Sequence, residues 1–202
     1  MRRITTLTLV AALALLTATM FTRAADEQKK ATIGQPAPAF SLQDQEGKTI
    51  SLADQAGKIV VLEWFNEDCP IDMRVYKQDD SMGKLAHKWM GKGVVWLAVN
   101  STKNKTNETN KKAAEKLGIN WPILNDAAGD VGHLYGATNT PHMYVIDQTG
   151  KLVYMGAIDD DPQGEKSTKI NYVDKALGEL TSGTAISNPQ TKAYGCSVKY
   201  AK

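Results

Sequence analysis

Residues 58–76, KIVVLEWFNEDCPIDMRVY, constrain the fold more than any other stretch of the chain. Ile59, Val60, Val61 and Leu62 run into Trp64 and Phe65 with little polar alternation, the pattern of a strand buried on both faces of a mostly parallel sheet. The run stops at Asn66-Glu67-Asp68, presents Cys69, and continues as a predicted helix with Pro70 at its first position. A cysteine at that junction meets free backbone N–H groups and the positive end of a helix dipole, and both favour thiolate over thiol. Cys69 is therefore the first candidate nucleophile. The competing reading, a buried inert cysteine, is opposed by the three polar residues that precede it.

Composition narrows the class. The 202 residues are 42% hydrophobic, enough for one domain with a substantial core. Met1 to Ala24 contains Arg2, Arg3 and Arg23, no acid, and an apolar run ending in small residues, which reads as a secretory signal peptide over 1–24. An uncleaved anchor is the alternative, because the apolar run nearly reaches spanning length. A flexible lead is expected over 25–32. Those three arginines belong to 24 basic residues set against 22 acidic ones, so the chain from Ala25 onward is nearly neutral. That balance gives no electrostatic case for nucleic acid or for an anionic membrane surface. Export, with a periplasmic location expected, permits a disulfide between Cys69 and Cys196, the only two cysteines in the sequence.

Along the chain, Phe40–Leu42 and Thr49–Leu52 flank Asp44-Gln45-Glu46-Gly47 as a β-hairpin. After Cys69 the spacing is helical to Met90, with a break and a new N-cap at Asp79-Asp80-Ser81. Val94–Val99 is a second apolar strand, followed by a polar, solvated stretch to Asn110 and a helix over 111–117 closed by Gly118. Trp121–Leu124 is extended, and 126–135 is a short helix. Met143–Asp147 and Lys151–Gly156 form a second hairpin, and 170–180 is a final amphipathic helix. The remaining residues show no periodicity. Alternating strands and helices closed by a hairpin and a helix predict an α/β sandwich with a mixed sheet.

This order, with Val60–Pro70 around the cysteine, resembles the thioredoxin fold. Phe40–Leu52, with its Asp-x-x-Gly hairpin, is similar to the N-terminal extension of the alkyl hydroperoxide reductase and thiol-specific antioxidant family of redoxins. Tyr194–Tyr200, together with Gly156–Asp160, resembles the ending of an exported bacterial redoxin subgroup. The resemblance implies a redoxin domain over 33–183, a mixed central sheet flanked by helices, and a tail over 184–202 carrying Cys196. It also implies a cis bond at Thr140-Pro141 beside the active cysteine, a substrate-docking edge formed there with Trp64, and Glu63 as a buried acid moving protons. No metal or organic cofactor is implied; the electrons come from an external thiol donor. The departures are as informative. Asp72 stands where a Cys-x-x-Cys pair has its second cysteine, and Leu62 and Asn66 stand where peroxiredoxins carry proline and a hydroxyl residue.

The remaining candidates carry competing roles. Glu63 is either a proton relay or an edge glutamate paired with lysine. Asp72 either relays protons to Cys69 or stabilises the helix start. Arg74 either offsets that charge and holds an oxidised sulfur or solvates a helix face. His142 is a candidate base, His87 and His133 have no evident partner, and three scattered histidines give no metal spacing. Asp159-Asp160-Asp161 is either a cation site or a solvated loop. Cys196 is either the resolving thiol of a redox cycle or a structural staple. Three functions are consistent with these residues: an exported thiol-disulfide oxidoreductase and antioxidant, a thiol peroxidase acting through a Cys69 sulfenic acid, or a non-catalytic binding module held by a disulfide.

Overall fold

The computed structural model describes residues 30–201; the expected signal peptide and most of the flexible lead lie outside the described residues. The core strand is β3, Val60–Trp64, which is buried along its whole length. It pairs in parallel with β4, Val95–Asn100, through Val60↔Val95 to Trp64↔Val99. On its other side it pairs antiparallel with β7, His142–Ile146, through Val60↔Ile146 to Trp64↔His142. Around these three lie β1 (Ser41–Gln43), β2 (Thr49–Ser51), β5 (Ile123–Asn125) and β8 (Leu152–Gly156), giving the seven-stranded order β2-β1-β5-β4-β3-β7-β8. A centre flanked by neighbours on both sides needs apolar residues on both faces, which is why β3 shows no alternation.

The two faces carry separate cores. Val61 and Phe65 pack with Met82, Leu85 and Trp89 of α2 (Ser81–Met90), with Ala113 and Ala114 of α3 (Asn107–Leu117), and with Val173 and Leu177 of α5 (Tyr172–Thr181). Val60, Leu62 and Trp64 face the other way, onto Phe40, Ile50, and Val131 and Tyr135 of α4 (Asp130–Tyr135). Each such side chain, fully buried, contributes about 1.5–3 kcal/mol, so the sandwich is fixed from both sides. The architecture is the thioredoxin fold that the sequence predicts, with the N-terminal hairpin extending the sheet beyond β5.

Two regions differ from the sequence expectation. The stretch 100–110, read as solvated, contains buried Asn100, Ser101, Thr102 and Asn110, and α3 begins at Asn107 with Thr106 as its cap. Asn100 Nδ2 donates to Asn110 Oδ1 at 2.9 Å and Asn100 Oδ1 accepts the Thr102 N–H at 3.1 Å, so much of this polarity is satisfied internally. The tail, which lacks periodicity, lies against the body of the protein. Met155 N–H donates to Pro189 O (3.0 Å), and Thr191 N–H returns to Met155 O (3.1 Å). A short strand β9, Cys196–Ser197, then pairs antiparallel with β6, Asn139–Thr140. Among the described residues no helix is long and apolar enough to cross a membrane.

Candidate active site

Cys69 caps the N-terminus of α1 (Pro70–Met73), which continues as a π-helical turn over Arg74–Gln78. The loop before it is held by Asn66, whose Oδ1 accepts the Asp68 N–H (3.0 Å) and whose carbonyl accepts the Cys69 N–H (2.9 Å). Lys105 clamps the same loop from α3's approach, 2.7 Å from both Glu67 Oε1 and Asp68 Oδ2. Cys69 itself is 1% exposed, and its thiol donates to Thr140 O at 3.0 Å. Thr140 lies on β6, directly before the cis peptide bond to Pro141 that the sequence predicts.

Cys196 arrives at this point from the far end of the chain. β9 sets Cys196 opposite Thr140, and both cysteines are free thiols. Interaction with the Cys196 thiol and backbone, and with the backbone N–H of Asp72, favours the Cys69 thiolate. Burial pushes the Cys69 pKa upward, but these interactions, with the Thr140 side chain, outweigh it and hold the thiol below its ordinary value. The Cys196 thiol moves the other way. Burial and the neighbouring Cys69 sulfur push it up to about 11, against the Ile71 N–H, which favours its ionised form. One thiol of the pair is thus prepared as thiolate and the other as proton donor.

Two buried carboxyls stand behind the sulfurs. Asp72 is 0% exposed, and its Oδ2 accepts the Asn66 N–H at 2.9 Å. Burial, then the charges of Cys69 and Glu63, hold its pKa well above the usual carboxylate range. Its Oδ1 is buried and without a hydrogen-bond partner. Glu63 is also 0% exposed. Tyr76 OH donates to its Oε1 (2.6 Å) and Trp96 Nε1–H to its Oε2 (3.0 Å). Burial pushes it up to about 7 in spite of those two bonds. Of the two roles the sequence leaves open for Glu63, the lysine-paired edge position is therefore not the observed one. The charges of Cys69 and Glu63 both act on Asp72.

Other candidates are placed elsewhere. Trp64, expected at the docking surface, is wholly buried on the opposite face of β3 from Glu63. Its Nε1–H donates to Ser101 Oγ (2.9 Å), and its ring packs 5.0 Å from Tyr144. Alternation along β3 dictates this outcome. Arg74 does not offset Asp72: its Nη1 and Nη2 donate to Pro162 O and Asp161 O, both at 3.1 Å. His142 follows Pro141, but its Nδ1 faces Thr138 N (3.3 Å) and Tyr144 OH (3.2 Å), and burial lowers its pKa to about 4. It is a neutral packing group. Asp159, Asp160 and Asp161 organise their own loop. Asp159 accepts from Tyr194 OH and pairs with Lys169, Asp160 pairs with Lys166, and Asp161 accepts the Glu165 N–H. No cluster of three or more metal-ligating side chains occurs among the described residues. Tyr76, Trp96, Lys105 and Tyr194 are the functional neighbours that sequence reading misses, because each reaches its partner only through tertiary contacts.

A family profile described as the AhpC/TSA family matches residues 33–155. The thiol-disulfide oxidoreductase ResA of Geobacillus thermodenitrificans is 33% identical over 148 residues, which cover 73% of this chain and 82% of that protein. A conserved protein of Geobacillus kaustophilus is 29% identical with a TM-score of 0.76, covering 86% of this chain and 95% of its own. The thioredoxin domain of a thiol-disulfide oxidoreductase from Bacteroides vulgatus is 26% identical with a TM-score of 0.53, covering 62% of this chain and 89% of its own.

Proposed function

Because the chain belongs to the AhpC/TSA family of thioredoxin-like redoxins, we propose that it is a thiol-disulfide oxidoreductase whose working pair is Cys69 and Cys196. The observation that carries this reading is the pairing of β9 with β6, which sets Cys196 opposite Thr140, the residue whose carbonyl accepts the Cys69 thiol at 3.0 Å. A resolving thiol from the tail takes the role that a second loop cysteine would have, because Asp72 stands at that loop position.

The chemistry balances with those two thiols alone. The Cys69 thiolate attacks one sulfur of a substrate disulfide, and the other sulfur leaves as a thiolate that takes up a proton. Cys196 then loses its proton and attacks the Cys69 sulfur, expelling the second substrate thiol and closing a Cys69–Cys196 disulfide. Two electrons from an external thiol donor restore both thiols, and the reverse sequence oxidises a dithiol substrate. Asp72, whose carboxyl pKa is raised by burial and by the Cys69 charge, supplies and receives the protons. Glu63, tuned to about 7, replenishes it. Thr140-Pro141 forms the docking edge for the partner. A peroxidase reading is less favoured, since Asn66 Oδ1 is committed to the Asp68 N–H and Arg74 to two loop carbonyls. A signal-like sequence over 1–24 supports export to the periplasm, which N-terminal sequencing of the secreted form would test by showing a start at Ala25.

The direct test is trapping. Cys196→Ser should accumulate a mixed disulfide with a substrate or with a model disulfide, detectable by intact mass, whereas Cys69→Ser should form none. Equal trapping on Cys196 alone would reverse the assignment of nucleophile and resolving thiol.

A further inference from the structure

We propose that the tail strand β9 is a resident pseudosubstrate. It fills the docking edge at Thr138–Thr140, and Cys69 opens to an external disulfide only when the tail leaves. The proposal rests on the assignment of Cys69 as nucleophile and adds how that site is closed and what it selects.

The covering of Cys69 is the first observation. Its thiol donates to Thr140 O at 3.0 Å, β9 sets Cys196 opposite Thr140, and Cys69 is 1% exposed. A disulfide on another polypeptide cannot reach a sulfur so enclosed. The second observation is that the tail binds as an added strand would. Asn139 pairs with Ser197 and Thr140 with Cys196, Val198 N–H donates to Thr138 O (3.1 Å), and Asn139 Nδ2 donates to Gly195 O (3.0 Å). Strand addition is a general mode of peptide recognition in which main-chain bonds give affinity and side-chain fit gives specificity.

The edge also carries a selection rule. Gly195 has φ +116°, and a Cβ at that position would lie 2.1 Å from Thr140 O, which is backbone and cannot give way. A strand docking in this register therefore presents glycine immediately before its cysteine. The external partner that displaces the tail is accordingly an extended polypeptide segment with a Gly-Cys pair whose cysteine is in a disulfide.

The tail is anchored away from the sulfur on both sides. Tyr194 OH donates to buried Asp159. Beyond β9, Tyr200 stacks on His133 at a centroid distance of 4.0 Å and donates to Ala137 O (2.7 Å). Gly129 and Gly132 make room for its ring, since a Cβ there would come within 2.8 and 2.6 Å of it. These anchors set how often the tail opens without touching the reacting atoms. During turnover the tail departs, Cys69 forms the mixed disulfide with release of one substrate thiol, and the returning tail brings Cys196 to expel the other.

The test uses the reduced full chain. Cys196→Ser leaves Cys69 as the single thiol, and its alkylation by iodoacetamide should be slow. Adding Tyr200→Ala should speed it roughly tenfold, equivalent to 1.4 kcal/mol of lost docking. Equal rates in two folded variants would overturn the proposal. The peptide Tyr-Gly-Cys-Ser-Val, activated as its thionitrobenzoate disulfide, should react with the Tyr200→Ala chain faster than Tyr-Ala-Cys-Ser-Val; equal rates would remove the glycine rule. If Tyr200→Ala fails to fold, hydrogen exchange on the Cys196→Ser chain decides. Alkylation faster than the opening of the 195–198 amides would contradict closure. Because alkylation needs no second thiol, it is readable even where Cys69 and Cys196 fail to exchange electrons, so the two claims fail separately.

Discussion

At Cys69 the low thiol pKa has an identifiable main donor. The Cys196 thiol heads the interactions that favour the thiolate, ahead of Thr140 and the Asp72 N–H. Replacing Cys196 by Ala removes that donor, so the apparent pKa of Cys69 should rise, read as thiolate absorbance or alkylation rate against pH. An unchanged titration would mean that the backbone donors suffice. Asp72 offers a separate test. Asp72→Asn keeps a carbonyl for the Asn66 N–H but cannot move a proton, and general acid-base help of this kind is worth roughly 10²-fold or more. The variant should slow disulfide exchange by about that factor while leaving the protein folded. Full activity in Asp72→Asn would return this residue to its other reading, a stabiliser of the helix start. The site is half legible from sequence at this scale. Cys69, Glu63 and Asp72 stand in one local stretch with the strand-to-helix signal around them. Arg74 and His142 are drawn toward the sulfur by proximity in sequence, whereas hydrogen bonds to the 161–162 carbonyls and to Thr138 and Tyr144 take them away.

The tail is the element on which the site depends most, and it is the least legible. Its pairing joins residues 139–140 to 196–197, a contact with no periodicity in either segment, and only the positions of Gly195 and Cys196 hint at it. The same holds for the 100–110 stretch, whose lysines and asparagines read as solvated although Lys105 is turned inward onto Glu67 and Asp68. Buried polar networks satisfied by distant partners leave no local pattern. The tail's docking predicts a specific sensitivity at Gly156, which has φ +148° and where a Cβ would sit 2.2 Å from Thr191 Oγ1 and 2.5 Å from Thr191 O. Gly156→Ala should cost about 1–3 kcal/mol of stability. It should also raise hydrogen exchange over 189–191 more than in β3; uniform exchange across the molecule would contradict a locally docked tail. Tyr194→Phe removes the hydroxyl that faces Asp159, so it should lower stability by about 1–3 kcal/mol as measured by denaturant unfolding.

For the whole molecule, the strands of the sheet are readable because apolar runs long enough to be strands have few other ways to be buried, and the two separate cores arise from β3 facing both ways. Burying Glu63 in that sheet has a consequence for stability against pH. Its pKa rises from 4.5 to about 7 on folding, so between those values the folded protein holds a proton that the unfolded chain has lost. Stability from this group is complete below 4.5 and is lost as pH rises toward about 7. The loss amounts to about 3 kcal/mol by the linkage relation. Glu63→Gln should flatten that part of the profile and be more stable than the parent at alkaline pH, as measured by denaturant unfolding across pH; an identical slope would mean that Glu63 is ionised in the folded state.

The oxidoreductase reading rests on Cys69 and Cys196 exchanging electrons as a pair, and a redox titration reads that exchange without an intermediary. The reduced full chain is equilibrated across a dithiol redox series, and the fraction bridged is read by thiol labelling and intact mass, with Cys69→Ser and Cys196→Ser as controls. A working pair should give an intramolecular bridge with a midpoint between roughly −120 and −270 mV, the range of known oxidoreductases, that disappears in both variants. A bridge that stays closed below about −300 mV would make it a structural staple, and a folded chain that forms no bridge at any potential would contradict the pairing outright.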